Sequence, residues 1–240
     1  ERAYFPDLKG ATEAVVTVGM PISSPTTCFG NSATTYRFRR AATSSAEAAT
    51  ITFNALSIGG STIFELPTVY TTRLYLAGGS LKGTEIVSPI IEIAAGGKLE
   101  AELVSSMGNT PTDLRVNDGG TFVLSGEHVM SVTLSEGAIL KAETGKALAW
   151  NENTSVRWPE TGKALVDVSE FKATGELQPI ITGVKADMAF LRHFTTTDAN
   201  VSLALNAAGD VCLVACTEEN PNWLNDGTIM VRGAEGIVFE

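Results

Sequence analysis

The sequence predicts an all-β chain wound as a parallel β-helix or solenoid, and three observations predict it. Thr, Val, Ile, Ser and Gly dominate over the helix-favouring Lys, Glu and Leu, the balance of many short strands joined by turns. One phrase, an apolar–polar alternation broken at two small residues and then resumed, recurs as "IEIAAGGKLEA" (91–101), "LRVNDGGTFVL" (114–124) and "VTLSEGAILKA" (132–142). Shorter versions stand at 56–63, "LSIGGSTI", and 74–81, "LYLAGGSL", so the second place of each glycine pair falls at 60, 79, 97, 120 and 138, at intervals of 19, 18, 23 and 18, with Ala138 in the last.

A glycine pair between alternating runs has two physical readings. It makes a two-residue hairpin turn, because both residues accept φ > 0, and an antiparallel β-sandwich is the alternative fold on that reading. It also suits a solenoid corner, where the chain turns sharply and neighbouring backbones approach closely. Constant length and a repeated phrase favour the solenoid, since each coil rests in register on the one before. Ile91, Ile93, Leu99 and Ala101, then Leu114, Val116, Phe122 and Leu124, then Val132, Leu134, Leu140 and Ala142 are the expected inward ladders. Glu92, Lys98, Glu100, Arg115, Thr121, Thr133 and Lys141 are expected outside.

The coils are placed at residues 51–166, where a second echo, "TGKALAW" at 144 and "TGKALVD" at 161, also falls. Residues 1–50 lack the phrase and are rich in Ser, Thr, Ala and Pro, with a candidate strand "TYRFRR" at 35–40. They are expected to be an N-terminal cap or leading strands, because an end coil offers unpaired edges to any neighbour. Residues 167–240 read as further coils or a small β cap, from alternating runs in "NVSLALNAAGDVCLVAC" and an Asp-Gly turn in "WLNDGTIMVRGAEGIVFE".

Acidic residues outnumber basic ones 27 to 17, a net charge of -10, which repels phosphate backbones; no nucleic-acid partner is expected. No run approaches the roughly 20 apolar residues that span a bilayer, so no membrane insertion is expected either. The chain starts at Glu1 without a leader pattern, which suggests a removed leader or an excised piece. Cys212 and Cys216 on one strand would lie about 13 Å apart, too far to bridge each other. Cys28 paired with either, or three buried thiols, stay open. With two histidines, His128 and His193, and neither near a cysteine pair, no zinc site, other metal or cofactor is expected.

The repeated phrase, with "ITFNALSIGGSTI" upstream, resembles the right-handed parallel β-helix regions of secreted bacterial surface proteins of the autotransporter-passenger kind, over residues 50–166. The resemblance implies an extracellular or cell-surface location and a rigid rod whose loops and lateral faces contact glycans. β-Helix families also include polysaccharide lyases, hydrolases and tailspike enzymes, but no catalytic signature carries over to this sequence.

Polysaccharide cleavage needs paired carboxylates or a base beside a cation. The densest acidic candidates are Asp113 and Asp118, Glu127 beside His128, and Glu136 with Glu143, and stacking at about 4.8 Å would bring equivalent carboxylates together. His193, between Arg192 and Asp198, lacks a marked serine partner. For ligand binding the stretch "AWNENTSVRWPETG" (149–162) stands out: Trp150 and Trp158 bracket Asn151, Glu152, Asn153 and Arg157, indoles to stack on a pyranose and polar groups for its hydroxyls. Trp223 in "ENPNWLND" offers the same ingredients; Asn225 and Asp226 lack calcium-loop spacing. The leading expectation is a structural or adhesive surface module with no catalytic residue and a polysaccharide or surface glycan as its partner. A β-helix polysaccharide lyase or glycoside hydrolase, and a phage tail-fibre or spike fragment forming a trimer, are the alternatives.

Overall fold

A computed structural model describes residues 2–42, 49–108, 110–124, 128–144, 148–150, 153–157, 159 and 164–168, and beyond them the strand segments 178–179, 181–183, 201–205, 211–213 and 237–239. Coil by coil the chain runs β1 (Arg2–Phe5), β2 (Glu13–Val18), β3 (Ile22–Ser24); β4 (Thr26–Phe29), β5 (Thr35–Arg40), β6 (Ile51–Phe53); β7 (Leu56–Ile58), β8 (Ser61–Thr71); β9 (Leu74–Leu76), β10 (Ser80–Val87); β11 (Ile90–Ile93), β12 (Lys98–Ser105); β13 (Thr112–Val116), β14 (Thr121–Leu124); β15 (Met130–Leu134), β16 (Ile139–Ala142); then β17 (Leu148–Trp150), β18 (Thr154–Arg157) and β19 (Ala164–Val168). Among the described residues there is no α-helix.

Every strand pairing among the described residues is parallel, so the antiparallel sandwich is excluded and the chain is a β-solenoid. One face is an 8-stranded sheet, β1-β4-β7-β9-β11-β13-β15-β18. The opposite face begins β2-β5-β8-β10-β12-β14-β16-β19, and β3, β6 and the far ends of β8, β10 and β12 make a third face continuous with it. The repeat spacing is the coil length: Ser61 pairs Ser80, Ser80 pairs Lys98, Lys98 pairs Thr121 and Thr121 pairs Ile139, steps of 19, 18, 23 and 18 residues.

All twelve expected inward residues are buried, from Ile91 at 0% to Ala101 at 6% exposure, while Glu92, Lys98, Glu100, Arg115, Thr121, Thr133 and Lys141 face out. Alternation works because successive strand side chains leave opposite faces, and in-register stacking puts like on like: Leu74, Ile91, Leu114, Val132 and Val156 form one column. Leu114→Ala is therefore expected to cost about 2–5 kcal/mol, since the ladder cannot collapse around the void, against roughly 0.5 kcal/mol or less for Thr133→Ala; urea unfolding measures both.

The first coils are filled by rings instead. Phe5 stacks on Phe29 at 4.5 Å between centroids, Phe29 meets Phe38 edge-on at 5.7 Å, and Phe38 meets Phe64 at 4.9 Å. The N-terminal segment lacks the glycine phrase because its corners are longer. Asp7 closes one of them: its carboxylate accepts the N–H groups of Ser32, Ala33 and Thr34 at 2.8, 2.7 and 2.9 Å. Those hydrogen bonds, led by Ala33 and Thr34, pull its pKa down to about 2.

The glycine corners are tight for a visible reason. In the corner 94–97, Gly97 N–H donates to Ala94 O at 2.9 Å and Gly96 takes φ +74°, the third position of a type II turn; the corner 117–120 repeats this with Gly119 at +67°. The same corner groups also bond between coils, Gly96 N–H to Gly119 O and Thr121 N–H to Gly97 O, so backbones lie close together, and a Cβ at Gly97 would lie 2.8 Å from Leu76 O. At the other corner, between the third face and the first, buried hydroxyls satisfy carbonyls where the ladder breaks: Thr112 Oγ1 donates to Ser88 O at 2.8 Å and Thr154 Oγ1 to His128 O at 2.7 Å.

Candidate functional site

Stacking decides which outward charges meet. On the second face Lys82, Glu100, Val123 and Lys141 occupy one column. Lys82 Nζ lies 2.5 Å from Glu100 Oε1 and Lys98 Nζ 3.2 Å from Oε2. Burial pushes the Glu100 carboxyl up, but the two ammonium groups outweigh it and hold it below its ordinary value. Lys82 is raised in turn, chiefly by its bond to Glu100. On the first face Arg73 bonds Glu92 at 3.1 Å, Asn117 Nδ2 donates to the same carboxylate at 3.2 Å, and Arg115 bonds Asp113 at 2.9 Å. Nearer the start, Glu65 takes both Arg37 and Arg39.

The register produces the expected stacking of equivalent carboxylates at the corner, where the 18-residue step sets Glu136 at the place of Asp118, but not along the strands of the first face. Asp113 stacks between Ile90 and Ser131, and Glu92 between Tyr75 and Arg115. Among the described carboxyls with a shifted pKa, Asp7, Glu65 and Glu100, every shift is downward, the reverse of what a general acid needs.

The described concavity with mixed chemistry is a cleft on this second face, lined by Lys82, Gly83, Glu100, Ala101, Glu102, Val123 and Glu143. Its shape has a local cause. Between Gly83 and Glu85 the register shifts against β8, where two extra residues, with Pro67 in the segment, bulge the neighbouring strand. Val123 supplies an apolar floor: it points outward yet is 4% exposed, covered by its charged neighbours. A signal for it stood in the sequence, because "TFVL" puts an apolar residue at an outward place of the alternation.

His128, paired in sequence with Glu127, is no surface group. It is fully buried, packed against Phe122 at 5.2 Å, and its Nδ1 accepts the Val104 N–H at 3.0 Å. Nδ1 as acceptor fixes the neutral tautomer with the proton on Nε2. Burial depresses its pKa to about 4. It stands in for a strand residue on the third face, where Val129 N–H then takes the Val104 carbonyl. Cys28 also departs from the reading of three buried thiols: it is half-buried in the outward column Tyr4, Cys28, Ser57, Tyr75.

Of the residues chosen for ligand binding, Trp150 ends β17, whose backbone pairs in parallel with β21 (Ile181–Gly183), β20 being Gln178–Pro179. Asn153 is an exposed turn residue whose carbonyl accepts the Met130 N–H at 3.0 Å, and Arg157 is exposed beside Thr133. Asn151, Trp158 and Trp223 lie outside the described residues, as do Glu127, Glu152, Arg192, His193, Asp198, Cys216, Asn225 and Asp226. Asp118 and Glu136 are exposed corner residues, with Asp118 lying over Gly137 of the next coil.

Among the described residues no group of three or more His, Cys, Asp and Glu is placed to hold a metal ion, and no helix is long and apolar enough to cross a membrane. Compared with protein-family models, curated proteins and solved structures, the chain matches none.

Proposed function

We propose that the chain is a secreted or cell-surface β-solenoid module, a rigid rod whose role is structural and adhesive and whose ligand is a polysaccharide or surface glycan. The observation that carries this reading is the cleft over Val123. An apolar floor between fixed carboxylates and a lysine suits a sugar, whose C–H face packs on the floor while its hydroxyls take the charges. The Glu100 carboxylate there is tied to two ammonium groups, which favours holding a neutral sugar over protonating a glycosidic oxygen. The segment with Trp150, Asn151, Asn153, Arg157 and Trp158, and the sequence around Trp223, supply further sugar contacts in this proposal.

Incubation of the purified chain with a panel of soluble polysaccharides, reading both retention and the release of reducing or unsaturated ends, tests it. Retention without release is expected. Changing Glu102 and Glu143 together to Gln should weaken retention roughly tenfold, the size of one lost charged hydrogen bond, with the unfolding midpoint unchanged. Release of ends from any glycan would overturn the adhesive reading in favour of a β-helix lyase or hydrolase.

A further inference from the structure

We infer that the first face of the rod is a separate binding surface, for an acidic polysaccharide that carries a carboxylate on every second sugar and lies along the solenoid axis. The register places the groups: one outward column on this face runs Tyr75, Glu92, Arg115, Thr133 and Arg157. Arg115 and Arg157 are two coils apart, about 9.6 Å at about 4.8 Å per strand. Arg73, immediately before β9, starts two coils ahead of Arg115 and reaches into the same column, where it bonds Glu92. The arginines thus recur on every second coil. Between the last two lies Thr133, with Ser131 and Ser155 in the adjoining outward column.

These guanidinium groups can turn to a ligand. The Arg73 and Arg115 side chains are 59% and 62% exposed, and the ion pairs described for them measure 3.1 and 2.9 Å. An exposed pair of this kind contributes about 1 kcal/mol at most. A guanidinium has further N–H donors, in a planar fork that fits a carboxylate. Tyr75, at the other end of the column and 37% exposed, offers its ring to the face of a sugar.

Spacing selects the occupant. An extended chain of pyranoses advances by close to one coil per sugar, so carboxylates on alternate sugars meet arginines on alternate coils. A strand of B-DNA sets a phosphate about every 3.4 Å of axis, and an extended peptide repeats the side chains of one face about every 6.7 Å; neither matches two coils. Charge permits the encounter here. Residues 169–240 hold 10 acidic side chains against 4 basic ones, -6 of the chain's -10. The first-face strands with Arg73 instead set Arg2, Arg73, Arg115 and Arg157 against Glu92 and Asp113, and Asp118 and Glu136 stand beyond the strand ends, at the corner. The inference rests on the rod being a glycan binder but not on the cleft, which opens on the opposite face.

Binding of the full chain to a polysaccharide of alternating glucuronate and N-acetylglucosamine, compared with the same polymer after its carboxylates are reduced to alcohols, tests the inference. The acidic polymer is expected to bind at least about tenfold more tightly. Arg115→Gln with Arg157→Gln should remove that difference without moving the unfolding midpoint. Glu102→Gln with Glu143→Gln, at the cleft, should leave it intact, so that failure of the cleft reading and failure of this one are told apart. Moving the charge by one coil, Arg115→Gln with Thr133→Arg, keeps the net charge and breaks the spacing, and should weaken binding as the first double change does. Equal binding of the two polymers, binding indifferent to the arginine pair, full binding by the moved-charge variant, or duplex DNA held as tightly as the polysaccharide would overturn it.

Discussion

Replacing Gly60 by alanine is expected to cost at least about 3 kcal/mol of folding stability, a large share of what a chain of this kind has to lose. A Cβ at Gly60 would overlap the carbonyl of Asn31 in the coil before it, and that carbonyl belongs to a fixed corner. Asn31 itself is buried, its Nδ2 donating to Ser61 O at 3.0 Å, so the two corners cannot part without breaking that bond. Later corners are looser. At Gly120 the nearest atom, Ile93 O, lies 2.8 Å from the added carbon, and one coil further Ala138 holds the same place with a real side chain. Gly120→Ala is accordingly expected to cost only about 1–2 kcal/mol. Urea unfolding of the two variants should rank them in that order; equal midpoints would show that the tight corner yields more readily than its geometry implies.

Stability should fall by about 3 kcal/mol between pH 6.5 and pH 4 because of His128 alone. Its folded pKa, about 4, lies below its ordinary 6.5. Within that window the unfolded chain binds a proton that the folded chain refuses, so falling pH favours unfolding, and the effect is complete below both values. Asp7, Glu65 and Glu100 act lower on the scale: their folded pKa values are depressed, so their contributions are present above the carboxylate range and vanish only as pH drops through it, for Asp7 toward about 2. His128→Leu should remove the slope between pH 6.5 and 4 while lowering stability at pH 7 by about 1–3 kcal/mol, the cost of leaving the Val104 N–H unbonded. A wild-type slope in that variant would assign the pH dependence to other groups.

The inward ladders were legible because side-chain period, corner glycines and coil length all say the same thing in residues 56–142, and any one-residue slip would turn every apolar column outward. The first coils were not, since their corners are closed by Asp7 and Asn31 rather than by a glycine pair, and their core is an aromatic stack that follows no repeat. The cleft was hidden for another reason. Which charges become neighbours depends on coil length, and the 23-residue step from Lys98 to Thr121 brings Val123, rather than a charge, beside Glu100. His128 misled because burial of a histidine beside a glutamate is decided by a backbone N–H one coil away, at Val104, which no local pattern announces.

Parallel stacking carries every other statement made about the molecule, and one crosslinking comparison tests it most directly. In a background with Cys28, Cys212 and Cys216 changed to Ser, the pair Glu92→Cys with Arg115→Cys places two thiols in register on adjacent coils, at the strand spacing of about 4.8 Å. The pair Glu92→Cys with Ala101→Cys places them opposite each other only if residues 92–101 fold back as a hairpin about Gly96 and Gly97. A bifunctional thiol reagent of about 5 Å span, short enough for neighbouring strands alone, should join the first pair within one chain and leave the second free. Joining of the second pair and not the first would contradict the solenoid.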